Sequence, residues 1–522
     1  MSELWANILP PGWTRAAIRE LTAPSVEQGL PADRGRFVYV DISSIDNHAK
    51  RIVEPKLLST SDAPSRAKQR LRPDDVLVSM TRPNLNAVAM VPKQMAGAIG
   101  STGFHVLRGA GVHPGWLLYL VQTGSFVDSM SLLVQGALYP AIRPKDIASF
   151  VVPLAPLPEQ RRIVEEIEKH FARLESSEAA LKRIRANLKR YRAALLEAAC
   201  EGRLVPTEAE FARAEGRGYE PAHQLLARTL KQRRIGWEAD QLAKMEAAGK
   251  PPNDGRWKTA YREPTPAGRE ELTKVPEGWC LATVEQVSLH VEYGTSAKTS
   301  EHQGGVPVLR MGNILSDGRI NLKELKFLPS DHPEFPRLLL KTGDLLFNRT
   351  NSAELVGKSA VYRGVPSPCS FASYLIRVET ATGCDSIYLS VCLNCSLGRS
   401  WIKEVVSQQV GQANVNGSKL QAFVFPLPPL AEQRRIVAEV ERRLSVIEEL
   451  EGVVEANLKR AGRLRQSILK RAFEGRLVAQ DPNDEPASVL LERIRRDRAA
   501  KASGGERRCR RGRATNIMKA GA

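Results

Sequence analysis

The chain contains one long internal repeat, and this repeat limits its possible folds more than any other feature. Residues 157–205 and 430–478 align without a gap at an offset of 273 residues (430 − 157), and 20 of the 49 aligned residues are identical. A unit that occurs only twice, with a period near half of the 522 residues, is not one of the short stacked repeats that build a solenoid. It is typical of a fused homodimer.

The match extends beyond the repeated segment in both directions. Upstream, Pro10-Pro-Gly-Trp13 corresponds to Pro276-Glu-Gly-Trp279. Downstream, Glu220-Pro-Ala222 corresponds to Glu485-Pro-Ala487. Each copy therefore consists of a globular block, the repeated segment and a basic segment.

The repeated segments have the apolar spacing of coiled-coil helices. An apolar residue recurs every seven positions between charged residues, and this heptad pattern predicts a coiled coil. The predicted packing residues are Ile167, Leu174, Leu181, Leu188 and Leu195 in the first copy and Val440, Ile447, Val454, Ala461 and Ile468 in the second. Flanking apolar residues widen the two stripes: Ile163, Phe171, Ile184, Tyr191, Leu444, Leu458 and Leu464.

A single long helix with one apolar stripe is not stable alone in water, so each helix needs a partner. The nearest partner is the helix of the other copy. A pseudo-twofold axis between the halves predicts that the helices run antiparallel, with a globular block at each end of a rod. The alternative is that the helices pack into separate cores. Gly202 and Gly475 stand where a C-terminal cap is expected.

The two globular blocks share a skeleton although their sequences differ. Both have short runs rich in Val, Ile and Phe, such as the strand that follows Asp75 and the strand that follows Asp344, mixed with apolar helical stretches. This pattern predicts the α+β class for each block.

The charge of the chain indicates a polyanionic partner. Lys and Arg exceed Asp and Glu by 18 charges, which favours nucleic acid, although an arginine-rich stretch near the C-terminus contributes part of the excess. The seven scattered cysteines are no disulfide framework, and no apolar run is long enough to span a membrane. The first residues do not have the pattern of a signal peptide. We therefore expect a cytoplasmic protein.

Two polar segments in each block are candidates for base contact. One follows the strand after Asp75 or Asp344, and the other precedes the last strand of the block. Arg favours guanine and Asn favours adenine in the major groove, whereas ordinary solvated loops would also be polar. The candidate DNA-binding residues are Ser79, Thr81, Arg82, Asn84, Asn86, Tyr139 and Lys145 in the first block and Asn348, Arg349, Thr350, Asn351, Gln412, Asn414, Asn416 and Lys419 in the second.

Motifs for catalysis and for metal binding are incomplete in this sequence. Gly357-Lys358-Ser359 ends like a phosphate-binding loop, but Ser352 stands where the first glycine of that motif belongs. Cys392 and Cys395 have zinc-like spacing without a second pair, so we interpret them as buried cysteines of an apolar helix. We predict no catalytic residue and no metal site.

The doubled motifs resemble those of one family, the specificity subunits of type I restriction-modification enzymes. The resemblance depends on the doubled Gly-Trp motif, the doubled Glu-Gln-Arg-Arg-Ile-Val junction and the doubled Glu-Gly-Arg-Leu-Val helix end, and it extends to about residue 500. It implies two target recognition domains joined by two conserved helical spacers, with each domain reading one half of a bipartite DNA target. The implied division is: recognition domain 1, residues 1–156; helical spacer 1, 157–205; basic connector, 206–275; recognition domain 2, 276–429; helical spacer 2, 430–478; basic tail, 479–522.

The resemblance also implies partners and places the cofactors on them. Two modification subunits would bind S-adenosylmethionine and methylate adenine, and restriction subunits would use ATP and Mg²⁺, while this chain binds none of these groups. The connector 206–275 is long for the family, and the segment from Arg507 onward does not look like the family's ending. The alternative is a coiled-coil DNA-architectural or scaffold protein unrelated to restriction.

Overall fold

The computed structural model describes residues 9–31, 35–134, 140–250, 252, 254–268, 275–301, 304–315, 317–409 and 412–500. These residues form two compact units. Unit 1 comprises residues 1–182 and 455–522, and unit 2 comprises residues 183–454. The units cut across the predicted segments, because each long helix begins in one unit and ends in the other.

The described part of unit 1 contains a globular block of short strands and short helices, followed by the first part of a long helix. The strands are β1 Thr14–Ala17, β2 Arg36–Val40, β3 Ile45–Asp46, β4 Arg51–Ile52, β5 Lys56–Ser59, β6 Ala67–Arg70, β7 Val76–Ser79, β8 Val88–Met90, β9 Ile99–Ser101, β10 Phe104–Leu107 and β11 Val151–Leu154. The helices are α1 Ile18–Leu21, α2 Pro114–Leu120, α3 Gly124–Leu132, α4 Pro144–Ala148 and α5 Leu157–Cys200.

The described part of unit 2 repeats this plan and includes two helices from the connector. Residues 487–500 of unit 1, which correspond to the start of the second of these helices, are helical as well. The connector helices are α6 Glu208–Glu215 and α7 Ala222–Ala247. The strands are β12 Cys280–Thr283, β13 Ser288–Tyr293, β14 Val306–Leu309, β15 Lys326–Leu328, β16 Leu345–Asn348, β17 Thr350–Asn351, β18 Ser359–Val361, β19 Ser370–Phe371, β20 Leu375–Thr380, β21 Ser407–Gln409, β22 Gln412–Asn414 and β23 Val424–Leu427. The remaining helices are α8 Val284–Val287, α9 Ser386–Asn394, α10 Ser396–Val405, α11 Gly417–Gln421 and α12 Leu430–Phe473.

The first and last strands of each globular block pair with each other. In unit 1, β1 and β11 are antiparallel, with Thr14 opposite Leu154. In unit 2, β12 and β23 pair in the same way, with Cys280 opposite Leu427. The chain therefore leaves each block beside the place where it came in, and a long helix begins directly after the last strand.

One sheet of three strands and one of four strands form the centre of each block. In unit 1 they have the strand orders β10-β7-β8 and β5-β2-β9-β6, and in unit 2 the orders β13-β20-β16-β18 and β15-β14-β19. The central strands β7 and β16 are buried at every residue, which explains their continuous apolar sequences. The carboxylates of Asp75 and Asp344 begin these strands by accepting the backbone N–H groups of Arg72 and Lys341. The predicted α+β class is confirmed.

The long helices run antiparallel within each unit. In unit 2, Arg192 on α5 pairs with Glu451 on α12 at 3.0 Å, and the last turn of α5 shares one apolar core with Ile436 and Val440 near the start of α12. In unit 1, Glu178 pairs with Arg465 at 3.8 Å, while the earlier turns of α5 share a core with Phe473 at the end of α12. The two helices therefore pack against each other, as the heptads predict.

The predicted heptad residues line these contacts, but three of the flanking residues do not. Ile167, Leu188 and Leu195 on α5 and Val440, Ile447, Val454 and Ala461 on α12 are buried, and Leu174, Leu181 and Ile468 are partly buried. The prediction that Ile184, Tyr191 and Leu464 widen the packed stripe is wrong, because their side chains are exposed. The other four flanking residues are buried or partly buried, namely Ile163, Phe171, Leu444 and Leu458, so the packed stripe is wider than the heptad seam there but not at these three positions.

Both long helices end at a glycine, as expected for a C-terminal cap. Gly202 and Gly475 have φ of 70° and 68°, a left-handed conformation that glycine adopts without steric cost. A Cβ atom at Gly202 would lie 2.5 Å from Pro276, and one at Gly475 would lie 2.3 Å from Pro10. Each helix end therefore packs closely against the first residues of the globular block in its own unit.

Candidate nucleic-acid interface

The two polar segments predicted in the second block meet in unit 2. Strand β17 comes from the first segment and strand β22 from the second, and they pair antiparallel with Thr350 opposite Asn414. Together with β21 they form a small sheet at the end of β16. The side-chain N–H of Asn414 donates to the hydroxyl of Thr350 at 3.2 Å. Two stretches separated by about sixty positions thus build one polar edge (414 − 350 = 64).

Arg349 lies at the centre of this edge and is held by three neighbours. Its guanidinium carbon lies 4.7 Å from the centre of the Tyr293 ring, which is a cation–π contact. The guanidinium donates to the carbonyl of Ser373 at 3.4 Å and to the side-chain oxygen of Asn414 at 3.5 Å. The hydroxyl of Tyr293 accepts the backbone N–H of Gly417 at 2.7 Å, which fixes the ring. The arginine is half-buried and pre-oriented.

Tyr293 was missed by the sequence analysis. It lies at the end of β13, far along the chain from both predicted segments, and only the pairing of β20 with both β13 and β16 brings it to Arg349. The one signal in the sequence is that Tyr293 directly precedes a glycine, Gly294. The structure explains this glycine, because a Cβ atom there would lie 2.3 Å from the carbonyl oxygen of Phe371.

Some candidate residues of the second block serve the fold. Asn348 is fully buried and donates to the carbonyl of Leu355 at 3.4 Å, and Thr350 is buried beneath Asn414. Their side chains are therefore not presented to a ligand. Asn416 is exposed and caps α11 by accepting the backbone N–H of Lys419 at 2.9 Å.

The other candidates of the second block line the edge in part. Asn351 is partly exposed and accepts the backbone N–H of Ser352. The ammonium of Lys419 donates to the carbonyl of Val405 at 2.6 Å. Gln412 belongs to β22 and pairs with Gln409 of β21; its side chain lies outside the part of the chain that the structure describes.

The corresponding segments of the first block also meet, in unit 1. Thr81 forms a β-bridge with Ala141, and the backbone N–H of Arg82 donates to the carbonyl of Pro140 at 2.8 Å. Arg82 and Asn84 are exposed, and Arg82 has a left-handed backbone with φ of 49°. Lys145 is exposed on α4. The arrangement matches that of unit 2, without a second polar strand pair among the described residues of unit 1.

Two further candidates of the first block are structural, and one cannot be placed. Ser79 is buried and donates to the carbonyl of Thr81 at 2.9 Å. Asn86 donates to the carbonyl of Val121 at 2.7 Å and accepts the ammonium of Lys50 at 2.9 Å. Burial lowers the pKa of Lys50 to about 8. Tyr139 lies outside the described residues.

The motifs that carry the family resemblance form the same hydrogen bonds in both units. The indole N–H of Trp13 donates to the carboxylate of Glu159 at 2.9 Å, and that of Trp279 donates to Glu432 at 2.9 Å. Gln160 and Gln433 both donate to the chain just before their own helix, at 2.8 and 2.9 Å. The Gly-Trp motif and the Glu-Gln junction therefore lock each block onto the start of its helix.

The two junction glutamates are buried, and burial raises the pKa of each carboxyl group above its usual range. The tryptophan N–H opposes this shift by stabilising the ionised form. Glu432 also accepts the backbone N–H of Glu208 at 2.8 Å, whereas the second oxygen of Glu159 has no protein hydrogen-bond partner among the described residues. The two junctions therefore share the hydrogen bond from tryptophan, but among the described residues only the carboxylate in unit 2 has hydrogen-bond donors for both of its oxygens.

The helix pair of unit 2 has an exposed apolar strip on its outer face. It consists of Ile184 and Tyr191 on α5 and Val446 and Leu450 on α12, which are 44–48% exposed. Arg443, one turn before Val446, donates to the hydroxyl of Tyr191 at 3.4 Å, so both helices contribute to the same face. We call these four residues the outer strip. Exposed apolar residues in a row on a helix pair are typical of a surface that binds another protein.

The described residues contain no cluster of three or more His, Cys, Asp and Glu that could hold a metal ion. None of the helices in the described part of the chain is both long and apolar enough to cross a membrane.

The fold and the polar edges define a duplicated protein, with two α+β blocks held on a shared pair of helices. Residues 277–454 match the family model described as the type I restriction modification DNA specificity domain. The chain is 26% identical over 455 residues to the type I restriction enzyme EcoKI specificity subunit of Escherichia coli strain K12. The aligned region covers 85% of this chain and 84% of that relative. The chain is 24% identical over 462 residues to the StySPI specificity subunit of Salmonella potsdam, with the same coverage of 85% and 84%.

A solved structure has the same fold. It is a chain from a study described as the structural basis underlying complex assembly and conformational transition of the type I R-M system. The two chains are 24% identical with a TM-score of 0.65, over 90% of this chain and all of the other. The predicted resemblance to the specificity subunits of type I restriction-modification enzymes is therefore confirmed. The relatives are specificity subunits, which agrees with the prediction of a non-catalytic chain.

Proposed function

We propose that this chain is the DNA sequence-recognition subunit of a type I restriction-modification complex, and that each block reads one half of a bipartite target. One observation carries the proposal: the same two polar segments meet in both units, on a shared framework, but with different side chains. A common scaffold with different polar loops is what two readers of unlike sequences require.

We infer that the polar edge around Arg349 is the reading edge of the second block and that Arg82 and Asn84 belong to the reading edge of the first. An arginine held flat by an aromatic ring loses little conformational freedom when it donates two parallel hydrogen bonds to guanine. Exposed Lys145 and the excess of basic residues in the chain would hold the phosphate backbone, so the affinity for DNA should fall steeply with salt.

The long helices would set the spacer between the half-sites and bind the modification subunits. The outer strip supports the second role, because a helical partner could cover it and remove four large side chains from water. Two modification subunits with S-adenosylmethionine and the restriction subunits with ATP and Mg²⁺ are the proposed partners, in the cytoplasm of a prokaryote. This chain would contribute DNA recognition and no catalytic group.

The test is a base-resolution map of adenine methylation in the source cell, with and without this gene. We expect deletion to remove one bipartite motif. Exchange of residues 276–428 for the corresponding block of another specificity subunit should then change one half of that motif and leave the other intact. Exchange of residues 14–154 is the matched control and should change the opposite half. An unchanged methylation map after deletion, or a change in both halves after one exchange, would contradict the proposal.

A further inference from the structure

The loop that carries Arg82 and Asn84 in the first block has a strained backbone at both ends. Arg82 and Asn86 have φ of 49° and 47°, so both lie in the left-handed region although neither is a glycine. Between them Pro83–Leu85 forms a single 3-10 turn. A residue with a Cβ atom pays a steric cost in this conformation and keeps it only where neighbouring groups hold it, and such residues are concentrated at functional sites.

The end of this loop is held by a lysine from another part of the first block. The ammonium of Lys50 donates to the backbone carbonyl of Asn86 at 2.6 Å and to its side-chain oxygen at 2.9 Å. The side-chain N–H of Asn86 donates in turn to the carbonyl of Val121 at 2.7 Å. The backbone and the side chain of Asn86 are therefore both fixed, and a rotation of its φ would break these hydrogen bonds.

Lys50 is itself held in place by a tight turn between β3 and β4. Its φ is 54°, and its backbone N–H donates to the carbonyl of Asp46 at 2.8 Å. The carboxylate of Asp46 accepts the backbone N–H groups of His48 and Ala49 at 2.8 and 3.0 Å, which closes the turn. The turn thus presents the base of the lysine side chain in one orientation.

The Lys50 ammonium is directed into the protein. Burial, and then the positive charge of Arg465 on α12, lower the pKa of Lys50 to about 8, while the negative charge of Asp46 opposes the shift. A buried ammonium needs hydrogen-bond acceptors, and two of its three donors go to Asn86. These bonds favour a role in holding the loop over a contact with a DNA phosphate.

The second block has a glycine at the corresponding point of its loop. Gly357 stands two residues before β18, as Asn86 stands two residues before β8, and its φ is 80°. Glycine adopts this conformation without steric cost, so it needs no side chain to hold it. The next residue, Lys358, donates to the carbonyl of Ile314 at 3.3 Å. Only the first block combines a lysine with a residue that is strained at this point.

We propose that Lys50 is a positioning residue for DNA reading by the first block: it holds Asn86 and thereby keeps Arg82 and Asn84 in the orientation that meets the base pairs. The inference rests on the proposed function, because it concerns the support of that block's reading loop. A lysine in this role affects sequence discrimination in one half-site. A lysine that contacts a phosphate would instead change the affinity for all sequences alike.

The experiment measures how the full chain, assembled with its modification subunits, binds duplexes that carry the bipartite motif or a single base-pair change in one half-site. Block exchange identifies the half-site of each block. Lys50→Met removes both hydrogen bonds to Asn86 and keeps the length of the side chain. We expect discrimination in the half-site of the first block to fall by roughly 10-fold. Discrimination in the other half-site should stay unchanged, which also shows that the variant is folded.

Lys93→Met is the matched control, because it removes the same charge from an exposed lysine of the first block. It should leave discrimination in both half-sites unchanged. Unchanged discrimination in Lys50→Met, or equal loss in both half-sites, would overturn the positioning role. A wild-type complex that discriminates in neither half-site would instead overturn the proposed function.

A second substitution separates positioning from a direct contact. In Lys50→Met combined with Asn86→Gly, the glycine can adopt the left-handed conformation without the lysine, as Gly357 does in the second block. We expect most of the discrimination in the first half-site to return. A folded double variant that recovers none of it would contradict the proposal.

The charge of Lys50 gives an independent readout. The ammonium loses its proton as the pH rises through about 8, so discrimination in the first half-site should weaken between about pH 7 and about pH 9. The charged groups around it are Arg465 of α12, Glu178 of α5, which pairs with Arg465, and Asp46 of its own turn, and none of them changes its charge in this range. Lys50→Met should lack the change, and an identical pH profile in wild type and variant would refute the role of the ammonium.

Discussion

Units 1 and 2 are built alike where a block meets its helix and differ where the block meets solvent. The contacts between Trp13 and Glu159 and between Trp279 and Glu432 have the same length, 2.9 Å, and the same atoms. The edges are different: in unit 2 an arginine stacks on Tyr293 within a paired polar sheet, whereas Arg82 in unit 1 is exposed on a left-handed turn. The junctions between block and helix are therefore alike in the two units, whereas the polar edges differ.

The outer faces of the helices differ in the same way. Val446 and Leu450 of the outer strip correspond, at the offset of 273 residues, to Arg173 and Ser177 in unit 1, which are also exposed. Ile184 and Tyr191 correspond at the same offset to Asn457 and to the exposed Leu464, so the face of unit 1 keeps one of the four large apolar side chains. The difference indicates that a partner would find unequal surfaces on the two halves, even though the heptad seams of both are apolar.

The largest effect is expected from charges on the outer strip. The double substitution Val446→Asp and Leu450→Asp should weaken the binding of a modification subunit to unit 2 by roughly 100-fold, because each carboxylate would be buried without a partner. Native mass spectrometry of the assembled complex would show one modification subunit lost. Arg173→Asp with Ser177→Asp is the matched control in unit 1. Equal loss from both variants would show that the partner does not distinguish the two faces.

The second effect concerns the two arginines at the polar edges. Arg349→Ala should cost about 1–3 kcal/mol of DNA binding and relax specificity at one base pair of one half-site. Arg349→Lys should fail to restore it, since lysine keeps the charge and loses the planar fork. Arg82→Ala should weaken binding less and relax specificity in the other half-site, because Arg82 is exposed and loses more conformational freedom when it contacts a base. Binding to a library of half-site variants at several salt concentrations measures both. An unchanged sequence preference in Arg349→Ala would refute the base contact.

The third effect compares the two tryptophans. Trp13→Phe should destabilise unit 1 by about 2–3 kcal/mol, because it removes the protein donor from a buried carboxylate. Trp279→Phe should cost about 1 kcal/mol less, since Glu432 keeps the backbone N–H of Glu208. Urea denaturation measures the difference. Trp13→Phe combined with Glu159→Leu should recover most of the loss, and no recovery would indicate that packing rather than the hydrogen bond is responsible.

The smallest effect is the pH dependence of the junctions. The pKa of Glu159 is raised in the folded state, so the folded chain binds this proton more tightly than the unfolded chain. Its contribution to stability is therefore fully present below the unfolded pKa and is lost as the pH rises through the folded pKa. Glu159→Gln keeps an oxygen for Trp13 and does not ionise, so its urea midpoint should fall less than that of the wild type between about pH 5 and about pH 8. A steeper fall in the variant would contradict the raised pKa.

The helices and their seam could be predicted from the sequence because their pattern is local. Heptad spacing determines which residues face a partner helix, and Ile167, Leu188, Val440 and Ile447 are buried accordingly. The fused-homodimer interpretation also came from the sequence alone, since a repeat needs no structure to be seen. What the heptads did not determine is the width of the seam, so Ile184 was predicted inside and lies outside.

The candidate edges could be located from the sequence but not resolved into contacts. Polarity and position drew attention to both segments of each block, and in both units these segments meet. Which side chains point outward depends on strand pairing: Asn348 ends β16 with its side chain buried, while its neighbour Arg349 is half-buried. Tyr293 and Lys50 come from distant parts of the chain, and only tertiary packing brings them to Arg349 and Asn86.

The pairing of β1 with β11, and of β12 with β23, has a consequence for how such genes change. The first and last strands of a block are paired neighbours, so the distance between the two ends of the block is fixed whatever lies between them. Loop-closure entropy grows only slowly with length, so a block of another size or sequence could fill the same gap at little cost. A recombination event with crossovers in the codons of these two strands would replace a whole globular block in one step. The residues that join the block to the long helices would stay unchanged.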